Sequence, residues 1–167
     1  MPNVTDKLFH HLHLLVVEGQ TEKALVALEA VSASGFAQKQ EIAYVRAWCA
    51  TSLGHWDAAA PFLLPVENAG QAEQALQALG QTERRRRIHY LLLLGQTANE
   101  LGYYEEATRH YTQCLAFLDE RRMNIPRVRI KARCGLGSAY TQTGLYALAL
   151  THYEDALRLS SADSVHP

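Results

Sequence analysis

No stretch of this chain is apolar for long enough to cross a membrane. The longest candidates, IHYLLLLG and LHLLVVEG, fall well short of the roughly 18 residues a bilayer requires. Cysteine is scarce as well. Cys49, Cys114 and Cys134 form no CxxC pair, and an odd number of thiols argues against a disulfide framework, so all three are expected to be small packing residues. Net charge is almost absent, −1 over 167 residues, which gives no global field to attract nucleic acid. The opening MPNVTDKLFHHLHLLVVEG has neither a basic leader nor a small-residue cleavage site, and the expectation is a cytoplasmic protein. No segment alternates apolar and polar residues as a strand does, so the expected fold class is all-α.

An internal echo is present. LGYYEEATRHYTQCL at 101–115 returns as TGLYALALTHYEDAL at 143–157, with Gly102, Tyr104, Ala107, His110, Tyr111 and Leu115 repeated 42 residues later as Gly144, Tyr146, Ala149, His152, Tyr153 and Leu157. Aligning the glycines extends the echo forward. Gly19 stands five residues before Ala24 and nine before Leu28, and Gly54 stands likewise before Ala59 and Leu63. Around each glycine the apolar residues recur at three- and four-residue steps, as in Leu91, Leu94, Ala98 and Leu101 before Gly102 and Ala107, Tyr111, Cys114, Leu115 and Leu118 after it. That period lines one face of a helix on each side of the glycine. The glycine is then the tight turn between two antiparallel helices, and the small Ala107 and Ala149 let those helices approach closely. Breaks fall at 34–36, at 68–70 and at 124–126, where Pro126 starts a helix through its fixed φ and missing donor.

These residues resemble the tetratricopeptide repeat, a helix–turn–helix unit of about 34 residues. Leu91, Leu94, Gly95, Ala98, Ala107 and Tyr111 occupy its signature positions in the third unit, and Leu136, Gly137, Tyr140, Ala149 and Tyr153 in the fourth. Leu8, Leu12, Leu15, Ala24 and Leu28 serve the first, and Ala47, Ala50, Ala59 and Leu63 the second. His11 and Arg46 stand where leucine is usual. The resemblance implies a single domain over 1–167, a right-handed superhelical solenoid of about four antiparallel helical hairpins, with units at about 4–35, 37–68, 82–122 and 127–160. The 42-residue spacing is similar to the long-helix variants of kinesin light chains and of bacterial regulators of the MalT and Rap kind.

Candidate chemistry is sparse. His10 and His13 share a helix face at a metal-binding spacing, but no nearby carboxylate or cysteine completes a set of three or four ligands. No metal and no cofactor are expected. GLGSAY at 135–140 lacks the preceding strand of a phosphate loop, and Ser138 has helix neighbours in place of a strained elbow. His110 and His152 recur beside core tyrosines, which gives them a structural position. The basic middle of the chain, eleven Lys/Arg against six Asp/Glu over 81–133, includes Arg84–Arg87. Four consecutive arginines point in different directions on a helix and lack an aromatic stacking array, so the expectation is a solvated helix start and no nucleic-acid partner. The chain is not expected to be an enzyme.

What remains is a surface. In this repeat family the first helix of each pair lines a concave groove. The resemblance places Phe9, His13, Tyr44, Trp48, Thr51, Leu92, Gln96, Asn99, Lys131, Ser138 and Thr141 there, with Tyr44 and Trp48 as aromatic anchors. The function it implies is a non-catalytic interaction module that takes a peptide or helix of a protein partner. The alternative is the sensor segment of a larger signalling or transcription regulator. The last helix pattern carries more apolar residues than one partner helix can cover, which leads to the expectation of a homodimer through the C-terminal unit.

Overall fold

The computed structural model describes residues 4–31, 36–63 and 84–163, and among these every regular element is an α-helix. Two compact units divide the chain, residues 1–83 and 84–167. The first holds α1 (Val4–Val17), α2 (Thr21–Glu29), α3 (Phe36–Ser52) and α4 (Trp56–Leu63). The second holds α5 (Arg84–Glu100), α6 (Tyr104–Glu120), α7 (Pro126–Gln142) and α8 (Tyr146–Asp163). Each unit is two helical hairpins, the second stacked on the first: α2 and α1 meet α3, and α6 and α5 meet α7. Among the described residues the fold is thus all-α, and each unit is stacked from helical hairpins as a helical solenoid is. The expected unit limits at 35, 68 and 82, and the break at 68–70, lie outside the described residues.

Four of the turns are chemically the same turn. Gly19, Gly54, Gly102 and Gly144 have φ of 77°, 75°, 83° and 78°, the left-handed region that a Cβ penalises. At each, the glycine N–H reaches back three residues and the following N–H reaches back five, as in Gly102 to Asn99 O at 3.2 Å and Tyr103 to Ala98 O at 2.8 Å. This pair of bonds satisfies carbonyls that the ending helix leaves open, the Schellman arrangement. A fifth copy closes α6. There Arg122 takes φ 51°, with its N–H on Asp119 O and the Met123 N–H on Leu118 O. Pro126 then opens α7 at its first turn.

Inside the hairpins the crossings are made by small residues. Ala24, Ala59, Ala107 and Ala149, five residues after the turn glycine in each unit, are all buried. Leu91, Leu94 and Ala98 on α5 and Leu136 on α7 fill the facing positions. α6 lies between α5 and α7, and Ile88, Tyr90, Leu91, Leu93 and Leu94 are buried around most of the circumference of α5.

Three glycines inside helices serve packing. A Cβ on Gly95 of α5 would lie 2.8 Å from the Tyr111 ring, and one on Gly135 of α7 would lie 2.2 Å from that same ring. The phenol therefore fits between two bare backbone surfaces, one from its own hairpin and one from the next. Gly137 of α7 holds the Tyr153 ring in the same way, at 2.7 Å from its own absent Cβ. Burying the Tyr111 ring contributes roughly 1.5–3 kcal/mol, comparable to the penalty of about 2 kcal/mol for its two helical glycines together.

Glycine-to-alanine changes should consequently have the opposite sign from ordinary helix propensity. Gly135→Ala is expected to destabilise the second unit by about 1–3 kcal/mol through overpacking, since Tyr111 is enclosed. Gly137→Ala should cost clearly less, because Tyr153 is partly exposed and can swing aside. Urea melts of the two variants beside the parent check this ordering, and a Gly135→Ala protein as stable as the parent would disprove the socket.

Candidate functional site

The described helices bring five of the expected groove residues together. Leu92, Gln96 and Asn99 of α5 and Lys131 and Ser138 of α7 line one open cleft of about 400 Å3. They alternate with His89, Glu100, Cys134 and Gly135, and the Tyr111 ring reaches its floor. The geometry follows from the glycine contacts. With no side chain at Gly95 or Gly135, α5 and α7 flank a single ring and their outward residues face a common space. Asn99 Nδ2 donates to Ser138 Oγ at 3.0 Å, a bond across 39 residues that ties the two helices at the cleft. Asn99 Oδ1 is buried and accepts nothing from the protein.

A second hollow of about 610 Å3 continues along the same face toward the helix starts. It shares His89, Leu92 and Lys131 with the first and adds Ile125, Pro126, Arg127 and Val128 from the start of α7. The face thus runs from a basic and aliphatic end, through Lys131, to an amide and hydroxyl end.

The remaining expected residues have other settings. Thr141, one turn beyond Ser138, is exposed, and its hydroxyl donates to Gly137 O at 2.8 Å. In the first unit Tyr44 is only 1% exposed, and Thr51 is buried with its hydroxyl donated to Trp48 O at 2.9 Å. Trp48 is half-buried, its ring centroid 6.1 Å from that of Tyr44. Tyr44 accordingly offers no open aromatic face, having gone to the interior of its unit. Phe9 and His13 lie on α1, but their side chains are outside the described residues.

Cys134 corrects the expectation that every cysteine packs in the core. Cys49 and Cys114 are buried, and burial pushes their thiols up to about 11 and about 12, beyond useful reactivity. Cys134 is exposed in the cleft. It stands 42 residues after Leu92, on the cleft side of α7, just as Lys131 stands 42 after His89. That offset was the signal that could have placed Cys134 and His89 on the face.

His152 serves structure. Arg133 Nη1 lies 3.0 Å from His152 Nδ1, and a guanidinium can only donate, so that nitrogen accepts and the ring is neutral. Burial lowers the pKa of His152, and the charge of Arg133 lowers it further, against a smaller opposing effect of Asp155. Its ring stacks on Tyr140 at 5.4 Å, and Arg133 also meets Asp155 at 3.3 Å, so the group fastens α8 to α7. His10 and His11 are exposed on α1. Among the described residues no three His, Cys, Asp or Glu side chains gather as a metal site would require. Of the four arginines at the start of α5, Arg84 is exposed, while Arg87 lies over the Phe117 ring at 4.8 Å, a cation–π contact. The arginine run is thus partly a packing element.

No helix among the described residues is long and apolar enough to cross a membrane. The tetratricopeptide repeat family matches residues 88–117 and 130–163, which are the two hairpins of the second unit. The second unit therefore carries two tetratricopeptide repeats. Neither the curated proteins nor the solved structures include a match to the chain. Tetratricopeptide repeats generally mediate protein–protein interaction and are typically non-catalytic.

His110 supplies a pH test of this structural reading. It is 3% exposed, and its pKa is lowered to about 4, first by burial and then by the Arg109 charge, with Gln113 working the other way. Glu106 lies 3.9 Å from its Nε2. The unfolded chain takes up a proton near pH 6.5 while the folded ring stays neutral until about pH 4, so the unfolded state binds more protons in this window. Stability should fall on acidification from pH 6.5 toward 4, by on the order of 3 kcal/mol from this group. Denaturant melts across that range should show a shallower slope for His110→Gln. An equal slope would mean that His110 is not held neutral.

Proposed function

We propose that this tetratricopeptide-repeat chain is a non-catalytic interaction module that takes an extended peptide segment of a protein partner along the α5/α7 face. One observation carries the reading: Leu92, Gln96, Asn99, Lys131 and Ser138, from two successive repeats, converge on one cleft. The cleft has the composition such a role needs. Leu92 offers an apolar contact, Gln96, Asn99 and Ser138 offer donors and acceptors for a peptide backbone, and Lys131 offers a charge at the rim. A cytoplasmic location belongs to this same reading.

The reading is tested with a library of fluorescent peptides titrated against the parent chain and a Gln96→Arg/Lys131→Glu double variant. Both positions are exposed, so the variant should melt with the parent. Peptides that bind the parent should lose at least roughly tenfold in affinity for the variant, while Glu105→Lys on exposed α6 surface leaves binding unchanged. Peptides captured equally by parent and double variant would remove the α5/α7 face from the function.

A further inference from the structure

α8 repeats α6 at an offset of 42 residues, yet the two helices differ in what covers them. α6 is packed against α5 and α7, and there Tyr111 and Leu115 are 5% and 8% exposed. Their counterparts on α8, Tyr153 and Leu157, are 41% and 69% exposed. Tyr111 is enclosed between Gly95 and Gly135, whereas Gly137 holds Tyr153 from the α7 side. Of the five large apolar side chains exposed on α8, four fall in one stripe and Leu148 lies outside it. Tyr146, Leu150, Tyr153 and Leu157 succeed one another at steps of four, three and four, which sets them in a single stripe with the spacing of a two-helix seam. Tyr146 and Leu150 are 69% and 59% exposed, and no member of the stripe is charged.

We propose that this stripe is a homodimer seam, in which α8 packs antiparallel on α8 of a second copy about a twofold axis near residues 151–152. The pattern is self-complementary about that point. Each Leu150 then faces a Tyr153 and each Tyr146 faces a Leu157, so every contact joins an aromatic ring to an aliphatic side chain and no two identical residues compete for the same space. Such isologous pairing is the commonest way for a chain to cover its own patch. The four side chains leave on the order of 500 Å2 exposed per chain, given that an aromatic side chain offers about 150–250 Å2. Two copies therefore bury on the order of 1,000 Å2, at the threshold of a specific interface. The association is weak and depends on concentration, with dissociation in the range of tens of micromolar.

Sedimentation equilibrium of the full chain tests this. The parent is expected to pass from monomer to dimer as its concentration rises through that range. Leu157→Glu and Tyr146→Lys, each at a position 69% exposed, should weaken the dimer at least roughly tenfold without lowering the melting temperature. Because the two positions face one another in the antiparallel register, an equimolar mixture of the two variants should associate more tightly than either alone. A parent that remains monomeric into the hundreds of micromolar would overturn the proposal and make the stripe the seat of a following repeat in a longer polypeptide. A dimer that Leu157→Glu leaves intact would overturn it by placing the seam elsewhere, and a mixture no tighter than its components would overturn the antiparallel register.

Discussion

The second unit depends on one ring. Tyr111 sits where α5, α6 and α7 meet, and its phenol occupies the space that side chains at Gly95 and Gly135 would otherwise fill. A hairpin by itself needs only small alanines at its crossing. Joining one hairpin to the next needs something that belongs to both, and a large flat side chain against two bare backbones does this with dispersion contacts on each face. Burial raises the Tyr111 phenol above its ordinary value, and the charge of Glu100 adds to this, so the ring remains neutral where it is packed.

The cleft is a by-product of that joint. Once two helices are drawn together around a ring, the residues one turn to either side are committed to a shared surface. This is why Asn99 and Ser138, 39 positions apart, come within hydrogen-bonding distance. The surface can vary freely in sequence because its shape is held from beneath. A cleft framed in this way offers donors, acceptors and a charge at fixed spacing, with the exposed Cys134 and the half-buried His89 among them, while the buried Cys114 and His110 of the same unit are held in unreactive states.

Much of the fold could be read from the residues because its punctuation is local. A glycine five positions before a buried alanine marks a left-handed turn and a close crossing, and both were visible in four places. Pro126 announced a helix start. The turn at Arg122 gave no such sign, since only the backbone angle reveals it and the favoured residue is absent. Gly95, Gly135 and Gly137 read as family signature or as a doubtful loop, but their purpose depends on a ring from a different helix, a non-local fact. The site was legible where the 42-residue offset held, on α5 and α7. It was less legible on α3, where Tyr44 occupies the position of Leu92 but turns inward. Periodicity identifies which residues share a face. It does not say which of two faces is covered when a helix has neighbours on both sides.

The near-identity of the five turns bears on how the chain acquires its shape. Each turn closes a loop of a few residues and is completed by bonds to the helix just made, so a hairpin can form as soon as its second helix is available. The contacts that follow, α6 with α7 and α5 with α7, reach only one hairpin further along the chain. Loop-closure entropy is therefore met in small increments, and the relative contact order of each unit is low. Local contacts of this kind favour rapid folding, and the Tyr111 ring, packed on both Gly95 and Gly135, links the third hairpin to the fourth within the second unit.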